Sequence, residues 1–103
     1  MKVRWKTNAI QSRRQIARYI NKNFGATALK DFLHEIDRTV NLIKSNPAIA
    51  HIDPLFDDRV STYRSIIVNR LSKLVYRIDD DVVNIVAFWD CRKDPTNQAA
   101  QVK

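Results

Sequence analysis

The sequence predicts an α+β fold in which two helices pack on one face of an antiparallel sheet, in the order β-α-α-β-β-β. Two patterns predict it. Apolar residues repeat every three to four positions between residues 16 and 43, which is typical of amphipathic helices. Residues 63–90 contain three short runs rich in Val, Ile and aromatic residues, which is typical of strands. A length of 103 residues is that of one domain.

The first strand and both helices follow from the spacing of apolar residues. Residues 2–6 alternate polar and apolar side chains and predict a short N-terminal strand. The first helix is expected to be capped by Thr7 or Asn8 and ended by Gly25. The second helix is expected from about Thr27 to Ser45. Its apolar stripe, which should pack on the sheet, is Leu29, Phe32, Leu33, Ile36, Val40 and Ile43.

The C-terminal half predicts a three-stranded meander after a loop with two prolines. The expected strands are Tyr63–Asn69, Leu74–Asp79 and Val82–Asp90. Their short connections make consecutive strands antiparallel. A turn at residues 70–73 would pair Asn69 with Leu74. A turn at residues 80–81 would pair Arg77 with Asn84.

These pairings sort the strand residues onto two faces. The face expected under the helices carries Tyr63, Ser65, Ile67, Asn69, Leu74, Tyr76, Ile78, Val83, Ile85, Ala87, Trp89 and Cys91. The opposite face, called the outer face below, carries Arg64, Ile66, Val68, Lys73, Val75, Arg77, Val82, Asn84, Val86, Phe88, Asp90 and, beyond the strand, Arg92. Cations interleaved with an aromatic ring suit nucleic-acid binding. Ordinary solvent-facing charges are the alternative, and a one-residue slip in register would exchange the faces.

The rare residue types exclude several classes of site. One cysteine, Cys91, cannot form an intramolecular disulfide and favours a reducing cytoplasm. One glycine excludes Gly-rich phosphate loops. Cys91, His34 and His51 are too sparse for a zinc site of Cys and His ligands, so no metal and no cofactor is expected. The N-terminal residues lack an apolar run, so neither a signal peptide nor a membrane-spanning segment is expected.

The chain is basic and its charge is unevenly distributed. The sequence contains 18 Lys and Arg residues and 11 Asp and Glu residues, which gives a formal net charge of +7. The first 24 residues hold seven basic residues and no acidic one. Such a surface attracts polyanions, including nucleic acid, a ribosome or an acidic protein. The alternative is that the charge only aids solubility.

Four short segments carry a family resemblance. They are Trp5-Lys6-Thr7, Ala17-Arg18-Tyr19-Ile20, Leu74-Val75-Tyr76-Arg77-Ile78-Asp79 and Phe88-Trp89-Asp90-Cys91-Arg92-Lys93-Asp94. With the order of elements, they resemble the RelE/ParE superfamily of toxins from bacterial type II toxin–antitoxin modules, also called the plasmid stabilisation family. The resemblance covers residues 1–94 as a single toxin domain, and the polar residues 95–103 are expected to form a flexible C-terminal tail.

The resemblance implies a cytoplasmic toxin that inhibits translation as a ribosome-dependent endoribonuclease, with mRNA as substrate and an acidic antitoxin as partner. By position, Arg64, Lys73 and Arg92 fall where RNA-cleaving members carry basic catalytic residues. Arginine clamps phosphate but is a poor general base, and lysine exchanges a proton only when its pKa is depressed. The residues expected to bind nucleic acid beside them are Arg77, Asn84, Phe88 and Lys93.

Two alternatives stay open. Members of the same superfamily poison DNA gyrase without hydrolytic residues. RNA-cleaving members often carry Tyr about six residues after the position of Arg92, where this chain has Gln98. Tyr63 and Tyr76 are expected to face the core and do not replace it. The other alternative is a non-catalytic nucleic-acid-binding module, or a decayed toxin that retains only antitoxin binding.

Overall fold

A computed structural model describes residues 1–70 and 72–91 and contains a five-stranded sheet with two helices. The elements are β1 (Lys2–Trp5), α1 (Thr7–Phe24), α2 (Ala26–Ser45), β2 (His51–Ile52), a 3-10 turn (Pro54–Phe56), β3 (Arg64–Val68), β4 (Ser72–Asp79) and β5 (Val82–Asp90). The strand order is β1-β5-β4-β3-β2, with β1 parallel to β5 and the other pairs antiparallel. The predicted fold class and order are confirmed, with β2 as a short additional edge strand. The predicted tail lies outside the described residues.

A tight turn at Gly25 folds the two helices into a hairpin. Gly25 has a φ of 90°, a backbone conformation that residues with a Cβ rarely adopt. Its N–H donates to the carbonyl of Asn21 at 3.1 Å, and its carbonyl accepts from the N–H of Leu29 at 3.1 Å. Gly25 therefore ends α1, as the sequence predicts, and is also the N-cap of α2, which begins at Ala26, one residue before the expected Thr27.

The main core lies between the helices and one face of the sheet. Its buried residues are Ala9, Phe32, Ile36, Ile43, Ala50, Val68, Leu74, Tyr76, Val83, Ile85 and Phe88. Three large apolar residues predicted to face this core are substantially exposed, Leu33 at 42%, Ile67 at 54% and Ile78 at 38%. Leu33 borders a shallow groove on the surface of the helix hairpin, and Ile78 lies beside the turn at the end of β4.

A β-bulge in β5 decides which side chains reach each face of the sheet. Arg77 pairs with Asn84 as predicted, but Tyr76 pairs with Ile85 while Val75 pairs with Ala87. The residue between them, Val86, has no partner on β4. One extra residue reverses the alternation of all side chains that follow it. The predicted faces of β5 are therefore correct before the bulge and wrong after it.

The register between β3 and β4 also differs from the prediction. Arg64 pairs with Tyr76 and Ile66 with Leu74, whereas the sequence placed Asn69 opposite Leu74. An offset of an odd number of residues moves the side chains of β3 to the other face. The difference arises in the turn between the two strands. The turn was expected at residues 70–73, but β3 ends at Val68 and β4 begins at Ser72, so the turn has three residues. Its first two residues, Asn69 and Arg70, have left-handed φ values of 53° and 65°.

A side-chain hydrogen bond from Asn8 connects α1 to the bulge, although Asn8 was expected to cap the helix. Asn8 Nδ2 donates to the carbonyl of Val86 at 3.0 Å. The N-cap position is instead occupied by Lys6, whose side chain makes no capping hydrogen bond. The expectation that Thr7 or Asn8 caps α1 is therefore wrong, because the helix already begins at Thr7 and both residues lie within its first turn.

We expect Asn8→Ala to lower the free energy of unfolding by about 1 kcal/mol, because the carbonyl of Val86 loses its donor. Asn21→Ala is the matched control, since Asn21 is exposed on the same helix. It corrects for the higher helix propensity of alanine. Urea unfolding of both variants measures the difference, and equal stabilities would show that Asn8 does not support the bulge.

Candidate functional site

Arg64 lies on the helix face of the sheet rather than on the outer face. Its Nη1 donates to the carbonyl of Ala50 at 2.9 Å and lies 3.5 Å from the carbonyl of Ala48. Its cross-strand partner Tyr76 donates its hydroxyl to the carbonyl of Pro47. Burial raises the pKa of Tyr76 above its ordinary value, so the hydroxyl keeps its proton. Both side chains hold the segment that follows α2.

Lys73 lies on the outer face, as predicted, but a loop segment covers its ammonium group. Its Nζ forms an ion pair with the carboxylate of Asp53, and only 5% of the Asp53 side chain is exposed. Asp53 also accepts the N–H of Leu55 at 3.0 Å. The ring of Phe56 lies above the pair, with its centroid 5.7 Å from Nζ. Lys73 thus anchors the 3-10 turn to the sheet.

The environment of Asp53 keeps its carboxyl group ionised. Burial alone would raise the pKa of this carboxyl. The hydrogen bonds from Lys73 and from the N–H of Leu55 outweigh that cost and hold the pKa below its ordinary value. Asp53 was not identified from the sequence, because no short motif links it to Lys73, twenty positions further along the chain.

Arg64 and Lys73 therefore lie on opposite faces, and the expectation that they share a face is wrong. The three-residue offset in the β3–β4 register is the cause. Each cation binds a different part of the connection between α2 and β3. Arg64 holds its first residues against the helix face, and Lys73 holds Asp53 against the outer face. Their assignment to catalysis stays a prediction.

Arg77 and Asn84 lie on the outer face, as predicted, and belong to one hydrogen-bonded cluster. Arg77 Nε donates to Asp79 Oδ2 at 2.8 Å, and Asn84 Nδ2 donates to the same oxygen at 2.7 Å. Arg77 Nη1 also donates to the hydroxyl of Tyr63 at 3.1 Å. The hydrogen bond from Arg77 lowers the pKa of Asp79 most, and the bond from Asn84 lowers it further. The cluster presents a fixed guanidinium group at a partly exposed position.

Phe88 and Trp89 lie on the opposite faces from those predicted: Phe88 faces the helices, and Trp89 faces outward. Phe88 is fully buried under the helices, with its ring centroid 6.1 Å from that of Trp5 and 6.0 Å from that of Phe32. Trp89 lies on the outer face, 6.2 Å from the ring of Phe56. The bulge at Val86 causes this exchange. The prediction that Phe88 is available to nucleic acid on the outer face is therefore wrong.

The remaining residues that the sequence singled out are either outside the described residues, exposed or, for Tyr63, buried on the outer face. Arg92 and Lys93, like Gln98, lie outside the described residues. Cys91 is exposed, so the expectation that it faces the core is wrong. His34 and His51 are exposed as well. Tyr63 is buried, but on the outer face beside Phe56 rather than under the helices.

Residues 1–70 and 72–91 contain neither a metal-binding cluster nor a membrane-spanning helix. No group of three His, Cys, Asp or Glu side chains in these residues lies close enough together to hold a metal ion. Neither of the long helices in this part of the chain is apolar enough to cross a membrane.

We expect Asp53→Asn to lower the free energy of unfolding at neutral pH by about 2 kcal/mol, between the values typical of exposed and buried pairs. The folded-state pKa of Asp53 lies below its unfolded value of about 3.9. The stabilisation is therefore complete above that unfolded value and is lost as the pH falls through the folded-state pKa. Urea unfolding from neutral pH to about pH 2 should show the difference from wild type shrinking.

Asp58→Asn is the matched control, because Asp58 pairs with Arg59 at a largely exposed position. It should change the free energy of unfolding by less than about 1 kcal/mol. An Asp53→Asn deficit that stayed constant with pH would contradict the role assigned to the ionised carboxylate.

Comparison with known proteins connects this geometry to a family. A solved structure described as the chromosomal ParDE TA system from P. aeruginosa superposes with a TM-score of 0.70 at 13% sequence identity, covering 87% of this protein and 95% of the matched chain. A YoeB dimer from Staphylococcus aureus gives a TM-score of 0.57 at 21% identity, covering 84% of this protein and 92% of the matched chain. These likenesses confirm the fold. Curated protein sequences gave no match.

The family model described as "ParE toxin of type II toxin-antitoxin system, parDE" matches residues 3–95. The match spans nearly all of the chain and includes both helices and all five strands described above, apart from the first residue of β1. It confirms the resemblance carried by the four sequence motifs, and it implies an antitoxin as partner. The chain belongs to the ParE family of toxins from type II toxin–antitoxin systems.

Proposed function

We propose that this toxin acts by binding its target and does not cleave RNA. The observation that carries the proposal is the separation of Arg64 and Lys73 on opposite faces of the sheet. DNA gyrase is the target of those members of the resembled superfamily that act without hydrolytic residues. The proposal therefore favours the gyrase alternative over ribosome-dependent mRNA cleavage.

The chemistry of RNA cleavage supports this choice. Attack by a 2′-hydroxyl needs a proton acceptor, a charge donor and a leaving-group donor around one phosphate. Arg64 and Lys73 cannot approach one phosphate from a common face while the sheet lies between them. The ammonium group of Lys73 is also bound by the carboxylate of Asp53, so it is not free to bind a phosphate.

In a protein-binding toxin, the basic residues can attract an acidic partner protein instead of RNA. Among the described residues, the ion pairs involve Glu35 and residues that follow it, and none involves the cations of β1 or α1. A surface of this kind speeds encounter with an acidic partner. An acidic antitoxin fits it, as would an acidic region of the target.

We expect the purified toxin to inhibit DNA supercoiling by gyrase and to leave mRNA intact on programmed ribosomes. Primer extension on the mRNA and gel analysis of plasmid topology measure the two outcomes. If the toxin instead cleaved mRNA, and Arg92→Ala slowed cleavage by about 10² to 10³, the binding proposal would be wrong. Arg18→Ala is the control, because it removes the same charge from an exposed position on α1.

Added salt should lower the rate at which the toxin associates with an acidic antitoxin more than it changes the dissociation rate. Opposite charges accelerate encounter, and added salt screens them, so the association rate should fall as ionic strength rises. Buried apolar contacts set most of the dissociation rate, which should change less. Surface plasmon resonance at several salt concentrations measures both rates. An association rate independent of ionic strength would contradict an acidic antitoxin.

A further inference from the structure

Residues 53–63 form a compact loop whose two ends are joined at the edge of the sheet. The N–H of Asp53 donates to the carbonyl of Tyr63 at 2.8 Å. The N–H groups of Phe56 and Asp57 donate to carbonyl groups within the loop itself. Loops that are closed at their ends and packed on themselves are discrete units and frequently functional. This loop can move away from the sheet without breaking a strand pair, because β2 ends before it and β3 begins after it.

The loop covers the outer face with few buried side chains. Phe56 is 2% exposed and is the one buried residue among residues 54–62. The centroid of its ring lies 6.2 Å from that of Trp89. The carboxylate of Asp53 enters beside the ring and binds the ammonium group of Lys73. The cover therefore consists mainly of one aromatic ring and one carboxylate.

Two features of this contact cost free energy. The side chain of Trp89 is buried, yet its indole N–H has no acceptor among the described residues. A buried donor without an acceptor is destabilising. The pair of Lys73 and Asp53 gives up hydration, and well-packed apolar residues are often at least as stable as a buried ion pair. The stability of the fold alone therefore does not account for this arrangement of groups.

We propose that the loop 53–63 is a displaceable lid over a binding site on the outer face, and that the site takes a segment of a partner protein carrying the same two groups as the lid. The partner's carboxylate replaces Asp53 on Lys73, and its aromatic ring replaces Phe56 beside Trp89. In the lid these groups are three positions apart, in Asp53-Pro54-Leu55-Phe56. The inference goes beyond the proposed function, because it holds whether or not the partner is gyrase.

The groups under the lid suit such a segment. Lys73 and Trp89 are cross-strand partners on the outer face, so an acceptor bound to the ammonium group lies beside the indole ring. Both oxygens of Asp53 are already used, since one binds Lys73 and the other accepts the N–H of Leu55. An incoming segment brings further acceptors, which can satisfy the indole N–H that the lid leaves unpaired.

A nucleic acid fits the site less well than a peptide. Apart from the rings, the buried residues around Phe56 are Val75, Val86 and Ala87, which offer no hydrogen bonds from their side chains. Arg77, on the same face, is already bound by Asp79. Opening the lid thus releases the ammonium group of Lys73 onto an apolar floor, whereas a nucleic-acid backbone carries a charge at every phosphate.

Hydrogen exchange of the Trp89 indole N–H, followed by NMR on the full chain, tests whether the lid opens. We expect its protection factor to be at least about tenfold lower than that of the slowest amides of β4 and β5, because the lid opens without global unfolding. Low concentrations of urea should change this exchange little, since opening exposes little surface. Exchange of the indole N–H only through global unfolding would overturn the proposal.

Removal of the ion pair tests what holds the lid closed. Asp53→Asn should speed exchange of the Trp89 indole N–H by about tenfold, because the lid loses its contact with Lys73. Asp58→Asn is the matched control, since it removes the same charge from an exposed position in the same loop. Thermal unfolding checks that both variants fold. Equal exchange rates in the two variants would overturn the proposal.

A peptide with blocked termini and the sequence Asp-Pro-Leu-Phe tests the ligand. The lid competes with it at an effective concentration in the mM range, so binding is measured on the full-length Asp53→Asn chain, whose lid is weakened. We expect the peptide to shift the Trp89 indole signal with a Kd of about 1 mM or below. A peptide with Asn in place of its Asp should bind at least about tenfold more weakly. Equal binding of the two peptides, or no binding up to about 10 mM, would overturn the proposal.

Lys73→Met, added to the Asp53→Asn chain, tests which group reads the carboxylate. It removes the ammonium group and keeps an apolar side chain, so the preference for the acidic peptide should disappear. A preference that survived this substitution would overturn the assignment of the carboxylate to Lys73.

Two further arms separate the other occupants. A single-stranded oligonucleotide that shifted the Trp89 indole signal while the peptide did not would overturn the proposal. Lid opening that increased with protein concentration would assign the site to a second copy of this chain and would also overturn it. Gyrase inhibition is measured without any peptide, so failure of the lid proposal and failure of the proposed function give different results.

Discussion

The unpaired residue in β5 is the constraint on which the two faces of the sheet depend. Because Val86 has no partner on β4, Phe88 enters the core beneath the helices and Trp89 turns to the outer face. Both rings are buried, so β5 is covered on both sides. A second buried cluster lies on the outer face under the 3-10 turn and consists of Phe56, Tyr63, Val75, Val86, Ala87 and Trp89. The bulge places Ala87 and Trp89 in it. The outer face is consequently a partly covered surface rather than an open groove.

The connection between α2 and β3 completes that cover. It starts on the helix face, where Arg64 and Tyr76 bind its carbonyl groups, and continues onto the outer face, where Lys73 binds Asp53. The two cations hold one segment around the edge of the sheet. Arg64 and Lys73 therefore both have structural partners in the fold. The register between β3 and β4 decides that the two cations lie on opposite faces of the sheet.

Sequence patterns predicted the elements well and the faces only in part. The bounds of β5 and the pairing of Arg77 with Asn84 were correct, because the acidic turn after β4 marks the register clearly. The bulge was not predictable, since residues 85–89 are all apolar and show no alternation that an extra residue could interrupt. The connection after β3 contains neither glycine nor proline, so its length was misjudged. Asp53 depends on a contact between distant segments, which local patterns do not report.

These structural roles change which charges are available for recognition. Lys73 and Arg77 are paired with carboxylates, and Arg64 is bound to backbone carbonyl groups. The cations of β1 and α1 have no ion pair among the described residues, and no acidic residue lies within the first 24 positions. Among the described residues, the N-terminal strand and helix therefore carry the largest group of cations without an ion pair. Most of these cations are exposed, whereas the aromatic rings of β4 and β5 are buried, so the outer face of the sheet does not present the cations beside exposed rings that the sequence suggested.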